Sequence, residues 1–202
     1  AIDLDCVSNA VIEDCEFDVG DDMIAIKSGI DYFGRQYNRS SKNIIYRNNI
    51  HVNGHGLSIG SETSGSIYNV TFENLLFNGT RAQSGLFTGP KIKSCRGRGG
   101  RISGITYRNI TAIDLDDMLG IVLDYCSSEG PTNSSATPVV ENILYEDMNF
   151  IGGKNAGYFT GLSDSKIKNV TLRNVDFDSG KGKFTSCKNV VDSYCEGKVN
   201  PC

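Results

Sequence analysis

A parallel β-helix, an all-β solenoid, is the fold this sequence predicts, and three observations predict it. A six-residue phrase that opens on Asn (once on Gly) and closes on Asn or Asp recurs along the chain, with starts 26 to 38 residues apart. Inside each phrase apolar and polar residues alternate, and β-branched and aromatic types dominate, which is the pattern of a half-buried strand. No stretch shows a convincing helical period. Repeats of this length signal a solenoid or a propeller. Propeller blades need about four antiparallel strands each and more even spacing, so the solenoid is preferred.

The phrases run in order as Asn9-Ala-Val-Ile-Glu-Asp14, Asn43-Ile-Ile-Tyr-Arg-Asn48, Asn69-Val-Thr-Phe-Glu-Asn74 and Gly104-Ile-Thr-Tyr-Arg-Asn109, then Asn142-Ile-Leu-Tyr-Glu-Asp147 and Asn169-Val-Thr-Leu-Arg-Asn174. A second short strand usually follows, as in Met23-Ile-Ala-Ile26, Gly56-Leu-Ser-Ile59 and Gly120-Ile-Val-Leu123. Two or three short strands per unequal repeat, joined by Gly, Asn and Ser turns, suit coils that stack strand on strand. Asn at a phrase boundary tolerates left-handed backbone angles and can hydrogen-bond to its counterpart in the next coil. The phrase tyrosines Tyr46, Tyr107 and Tyr145 are read as stacked core.

A chain of 202 residues can bury a substantial core. One domain over residues 1–202 is expected, the C-terminal part of a larger one, with a cysteine-containing tail at 180–202. Ala1-Ile-Asp-Leu-Asp5 reads as the middle of a coil, so further chain is expected before it. With 23 Gly, 4 Pro and a net charge of −4, the protein is mildly acidic and soluble, too acidic for a nucleic-acid partner. No 18-residue apolar run would cross a membrane, and a monomer is expected. Positive charge gathers locally at Lys91, Lys93, Arg96, Arg98 and Arg101. Seven cysteines show no C-x-x-C spacing, which argues against zinc. Cys187, Cys195 and Cys202 read as disulfide stapling in an oxidising compartment, and the odd count leaves one thiol over. Sequons at Asn38, Asn69, Asn78, Asn109, Asn133 and Asn169 are compatible with a secreted glycoprotein, although Asn69, Asn109 and Asn169 lie within or at the end of repeat phrases.

Three polar triplets stand out: Gly20-Asp21-Asp22, Gly54-His55-Gly56 and Lys91-Ile92-Lys93. Asp21 follows Asp14, and His55 follows Asn48, by the same seven residues, so stacked phrases bring the two side chains to one position of successive coils. Lys91 and Lys93 face the same side of a strand. A straight strand would separate Asp21 from Asp22, so a bulge or corner is expected near Gly20. Paired carboxylates, an imidazole and two ammonium groups suit cleavage of a bond beside an acidic sugar. Asp116-Asp117 repeats the spacing without the preceding Gly and is read as structural, as is His51. Asp124 and Tyr125 are candidates for the rim of a cleft.

In these motifs the chain resembles glycoside hydrolase family 28, the polygalacturonases and their relatives, whose members carry N-T-D, (G/Q)-D-D, G-H-G and R-I-K in order. Val19-Gly-Asp-Asp-Met-Ile-Ala-Ile-Lys-Ser-Gly29 and Ser58-Ile-Gly-Ser-Glu-Thr-Ser-Gly65 extend the likeness, which thins after about residue 150. The resemblance implies a right-handed parallel β-helix and an inverting hydrolysis of α-1,4-galacturonosidic bonds in pectin, without metal or cofactor. Asp21 would be the general acid, Asp22 would help activate water, and His55 would tune or orient the acid. Lys91 and Lys93, with Gly54 and Gly56, would bind substrate. An inverting pair is expected to stand about 6.5–9.5 Å apart, and repulsion between neighbouring carboxylates is expected to raise one pKa. A secreted, extracellular or cell-wall location goes with that substrate. The long connection from Gly29 to Ser41 resembles exo-acting or plant-type branches.

Three departures qualify the likeness. The aspartate of N-T-D would precede Ala1, and Asp3 matches a later position of that phrase. Lys91 replaces arginine and lacks its bidentate fork. The tract from Gly79 to Pro90 is longer than usual. The alternatives are a non-catalytic pectin-binding or decayed β-helix and a calcium-dependent pectate lyase, in which Gly-His-Gly has no place.

Overall fold

The computed structural model describes residues 1–82, 88–126, 134–177 and 183–196. The chain winds as a right-handed parallel β-helix. Its first coils hold β1 (Ile2–Asp5), β2 (Ser8–Glu13), β3 (Glu16–Asp18), β4 (Ile24–Lys27), helix α1 (Asp31–Tyr37), β5 (Ser41–Arg47), β6 (Ile50–Asn53) and β7 (Leu57–Ile59). The middle coils hold β8 (Ile67–Asn78), β9 (Lys91–Lys93), β10 (Arg101–Ile113), β11 (Asp117–Val122) and β12 (Val139–Ile151). The last described coils hold β13 (Asn155–Thr160), β14 (Ile167–Phe177), β15 (Phe184–Lys188), β16 (Val190–Val191) and β17 (Tyr194–Glu196). One sheet stacks β1, β4, β7, β9, β11, β13 and β15 in that order, and the repeat phrases build the other, through β2, β5, β8, β10, β12 and β14.

The phrase boundaries do what the asparagine pattern implies. Asn9, Asp14, Asn43, Asn48, Asn69, Asn74, Asn109, Asn142, Asp147, Asn169 and Asn174 all take positive φ. Each such residue turns the strand and restarts the alternation, so Val70 and Phe72 point inward before Asn74, and Leu75 and Phe77 after it. Side-chain amides link the corners coil to coil: Asn43 donates to Asn9 at 2.9 Å and Asn69 to Asn43 at 2.9 Å. On the other corner Asn74 donates to Asn48 at 3.2 Å and Asn109 to Asn74 at 2.8 Å. Where Gly104 replaces the asparagine, Ser103 takes over as acceptor for Asn142 at 2.9 Å.

Inside, Tyr46, Phe72, Tyr107 and Tyr145 occupy one register position; Phe72–Tyr107 and Tyr107–Tyr145 stack with centroids 4.7 and 5.1 Å apart, and Tyr46 meets Phe72 tilted, at 5.8 Å. Outside, the fifth phrase residue alternates in sign, and register aligns Glu13, Arg47, Glu73, Arg108, Glu146, Arg173 and Glu196. Arg47–Glu13, Arg108–Glu73 and Arg173–Glu146 pair at 2.7, 2.5 and 2.8 Å.

Three features were not anticipated from sequence. The connection after Gly29 contains a seven-residue helix, too short to show a period and secured by tertiary contacts. Asp31 pairs with Arg98 at 2.5 Å, Arg35 donates to the Gly97 carbonyl, and Asn38 closes the helix with a φ of 49°. The described part of the expected tail, residues 183–196, is woven into both sheets as β15, β16 and β17. Within it Cys187 is disulfide-bonded and Cys195 packs partly buried against the core, while Cys202 lies outside the described residues. A disulfide that cysteine spacing did not reveal joins Cys95 to Cys126, with Cα atoms 5.5 Å apart. Asn133 also lies outside the described residues.

Candidate active site

All three polar triplets lie along the seven-stranded sheet. Residues 19–23 leave strand geometry between β3 and β4, giving the corner that Gly20 implied. Coil stacking fixes this corner, since His55 donates its backbone N–H to the Asp21 carbonyl at 3.0 Å and Met23 to the Gly56 carbonyl at 3.1 Å. Gly54 and Gly56 serve that stacking. Both are buried with positive φ, and a Cβ would meet the Asp21 carbonyl oxygen at 2.7 Å and the Gly89 carbonyl oxygen at 2.2 Å respectively. Their contacts give them a backbone-packing role.

The two aspartates are placed very differently. The Asp21 side chain is 82% exposed and its Oδ1 lies 3.1 Å from His55 Nδ1. The same oxygen accepts the Asp22 backbone N–H at 2.7 Å, so Asp21 is oriented through one oxygen and presents the other outward. The Asp22 side chain is 13% exposed, with Oδ1 accepting from the Ser58 hydroxyl at 2.5 Å and Oδ2 paired to Lys93 Nζ at 2.6 Å.

Lys91 and Lys93 project together from β9, as their spacing implied, and face the Tyr125 ring with Nζ 5.4 and 5.3 Å from its centroid. They are not equivalent. Lys93 is committed to Asp22, whereas Lys91, half-buried, has no carboxylate partner among the described residues. Burial is the main force lowering the Lys91 pKa, and Lys93 adds to it against the pull of Asp22 and Asp117. An unpaired, partly desolvated ammonium is a ready receptor for a carboxylate.

Asp21 departs from the expected electrostatics. Its carboxyl is held below the ordinary aspartate range, first by the Asp22 N–H and then, against desolvation, by His55 and Lys93. The expectation that repulsion would raise a pKa therefore fails for Asp21, because its charge is stabilised by a backbone donor and an imidazole. The separation also differs, since ligand atoms of Asp21, Asp22 and His55 all lie within 4.8 Å of one another. That is well inside the usual span of an inverting pair. Such a cluster has the geometry to hold a cation, but Ser58 and Lys93 already occupy both Asp22 oxygens and the ammonium opposes a second positive charge.

The other candidates separate cleanly. Asp3 pairs with Lys27 at 2.8 Å, and the two line a cavity of about 320 Å³ with Ala1, Asp21 and Asp22. Asp116 pairs with Lys154, and Asp117 accepts from Asn155 at 3.0 Å. His51 is buried beside Tyr46, whose hydroxyl lies 2.8 Å from its Nε2, and burial pushes its pKa down to about 3, so it is a neutral core residue. Sequence reasoning passed over Ser58 and left Tyr125 undecided. Ser58 was legible as the outward position of β7, aligned with Lys91 in the next strand.

Comparison with known proteins identifies the family and the fold. Residues 1–196 match the family described as Glycosyl hydrolases family 28. The chain is 29% identical over 185 residues to a polygalacturonase of Ralstonia nicotianae, covering 90% of this chain and 33% of that protein. It is 33% identical over 171 residues to an endo-polygalacturonase of Pectobacterium carotovorum subsp. carotovorum, covering 85% and 38%. A solved exopolygalacturonase from Thermotoga maritima superposes with a TM-score of 0.81 at 27% identity, over 99% of this chain and 44% of that one. The fold places the protein among right-handed parallel β-helix proteins. More narrowly, the chain belongs to glycoside hydrolase family 28. It spans about a third of the length of the curated relatives it matches.

Proposed function

We propose that this chain carries part of the active site of an extracellular polygalacturonase, which hydrolyses the α-1,4 bonds of galacturonan. The observation that carries the reading is the division of labour around Asp21 and Asp22. An exposed carboxyl on a fixed corner can reach a glycosidic oxygen, and a buried, doubly held carboxylate stands beside it. Asp21 gives its proton to the departing oxygen as the C1–O bond breaks. Water adds at C1 and passes its proton to a carboxylate, with Asp22 helping to hold and activate it. His55 orients Asp21, and Lys91 takes a galacturonate carboxylate. Lys93 acts chiefly by positioning Asp22. The Cys95–Cys126 bridge suits an oxidising compartment. The inverting course rests on the family resemblance rather than on the carboxyl spacing.

Reducing-end release from polygalacturonate by the full-length protein tests this. Asp21→Asn is expected to lower kcat by about 10²–10⁴-fold while leaving the fold intact. NMR of the first product should show the β-anomer, and product lengths decide between exo and endo action. The replacement of arginine by Lys91 and the low Asp21 pKa favour a second reading, a binding β-helix without catalysis. Polymer binding without release by the folded wild type would establish that one instead.

A further inference from the structure

Helix α1 presents an aromatic face that neither the core nor the catalytic residues use. Phe33 and Tyr37, four residues apart and so neighbours on a helix, are 79% and 65% exposed, and Tyr32 is 59% exposed. Tyr32 meets Phe33 edge to face, with centroids 5.5 Å apart. Ile30 extends the patch at the helix start. Scattered exposed apolar side chains are ordinary, but four within Ile30–Tyr37 form a patch.

The patch is braced from behind. A Cβ on Gly34 would meet the Gly29 backbone at 2.6 Å and the Ser64 side chain at 2.8 Å, so the helix backbone lies directly against both segments. The Asp31–Arg98 pair and the Arg35 bond to Gly97 tie it to the turn that follows Lys93. On the other side Ile30 follows Lys27, the last residue of β4, by three positions. Both attachments therefore lead straight back to strands carrying the site.

We propose that this face docks galacturonan outside the reaction centre, holding a stretch of polymer away from Asp21 while another segment reacts. This rests on the pectin-hydrolase reading. Two features select an acidic polysaccharide over a second copy of the chain. The rings of Phe33, Tyr32 and Tyr37, two of them tipped with hydroxyls, match the apolar face and polar rim of a pyranose. Beside them stands the exposed guanidinium of Arg39, whose one hydrogen-bond partner among the described residues is the Tyr37 hydroxyl at 3.4 Å. That cation is placed to meet a uronate carboxylate.

The test compares the full-length wild type with Phe33→Ser/Tyr37→Ser, whose side chains are exposed enough to leave the fold intact, as thermal melting checks. KM for polygalacturonate is expected to rise about tenfold, with KM and kcat for trigalacturonate changing less than about twofold. Unchanged polymer kinetics would overturn the docking role and leave the hydrolase reading standing. A parallel rise for polymer and trimer would overturn it too, by showing an effect on the reaction centre. Loss of self-association in sedimentation, with polymer KM intact, would assign the face to a second copy. If the wild type hydrolyses neither substrate, the hydrolase reading fails, and retention on immobilised polygalacturonate decides the docking role. Weaker retention of the double variant would support it, and equal retention would sink it.

Discussion

Two lysines on one strand carry different duties, and substitution separates them. Lys91 has no carboxylate partner among the described residues, so Lys91→Met is expected to raise KM for galacturonan about tenfold or more with a smaller effect on kcat. Lys93 is paired to Asp22, so Lys93→Met is expected to lower kcat by at least about tenfold, because it leaves a mostly buried carboxylate without its cation. Steady-state kinetics on both variants checks the split, and equal KM effects would contradict it. The acid carries a pH signature. Asp21 must be protonated to act, and its carboxyl is held low by the Asp22 N–H and by His55. Activity should therefore fall as pH rises through that depressed value. The limb of kcat/KM, which reports the free enzyme, should lie below the limb of kcat, because bound polymer strips water from Asp21. His55→Ala removes two of the lowering influences, so its kcat/KM limb should move to higher pH even as kcat falls. A limb that stays put would dissociate His55 from the acid. The same depressed pKa adds stability above the unfolded value and loses it as pH falls through the folded one. The contribution is small, since Asp21 is exposed.

The asparagine corners are the elements on which coil geometry depends. Asn74 has a φ of 57°, donates to Asn48 and accepts from Asn109. Asn74→Ala loses both bonds and places a methyl-bearing residue in a left-handed conformation, which is expected to cost about 2–3 kcal/mol. Asn74→Gly keeps the backbone freedom and should cost less, and denaturant melts of the pair would check the order. These corners also explain how much of the fold could be read from sequence. An asparagine at a fixed phrase boundary is a local signal, so the coils, the two ladders and the Asp21–His55 juxtaposition all followed from spacing. Helix α1 escaped because seven residues show no period and its anchors, Ser64, Gly97 and Arg98, are distant in sequence. The low Asp21 pKa escaped for a related reason: a charge count sees two adjacent carboxylates, but not the backbone N–H that one of them accepts.

For the whole molecule, the Cys95–Cys126 bridge ties the exit of the lysine strand to the turn that carries Tyr125. It closes a 31-residue separation, so Cys126→Ser under oxidising conditions is expected to cost about 3 kcal/mol, measured by denaturant unfolding. Tyr125, whose N–H bonds to the Ser94 carbonyl at 3.2 Å, would lose the covalent hold that keeps its ring over both lysines. The row of outward charges on the other sheet has a different reach. The backbone repeats once per coil, but the row repeats once per two coils, Glu then Arg. Excising one coil would set Glu against Glu or Arg against Arg at the new junction, whereas excising two would restore opposite neighbours. Shortening, lengthening or recombining this solenoid is thus compatible with its surface only in pairs, and the pair of coils is its smallest interchangeable module.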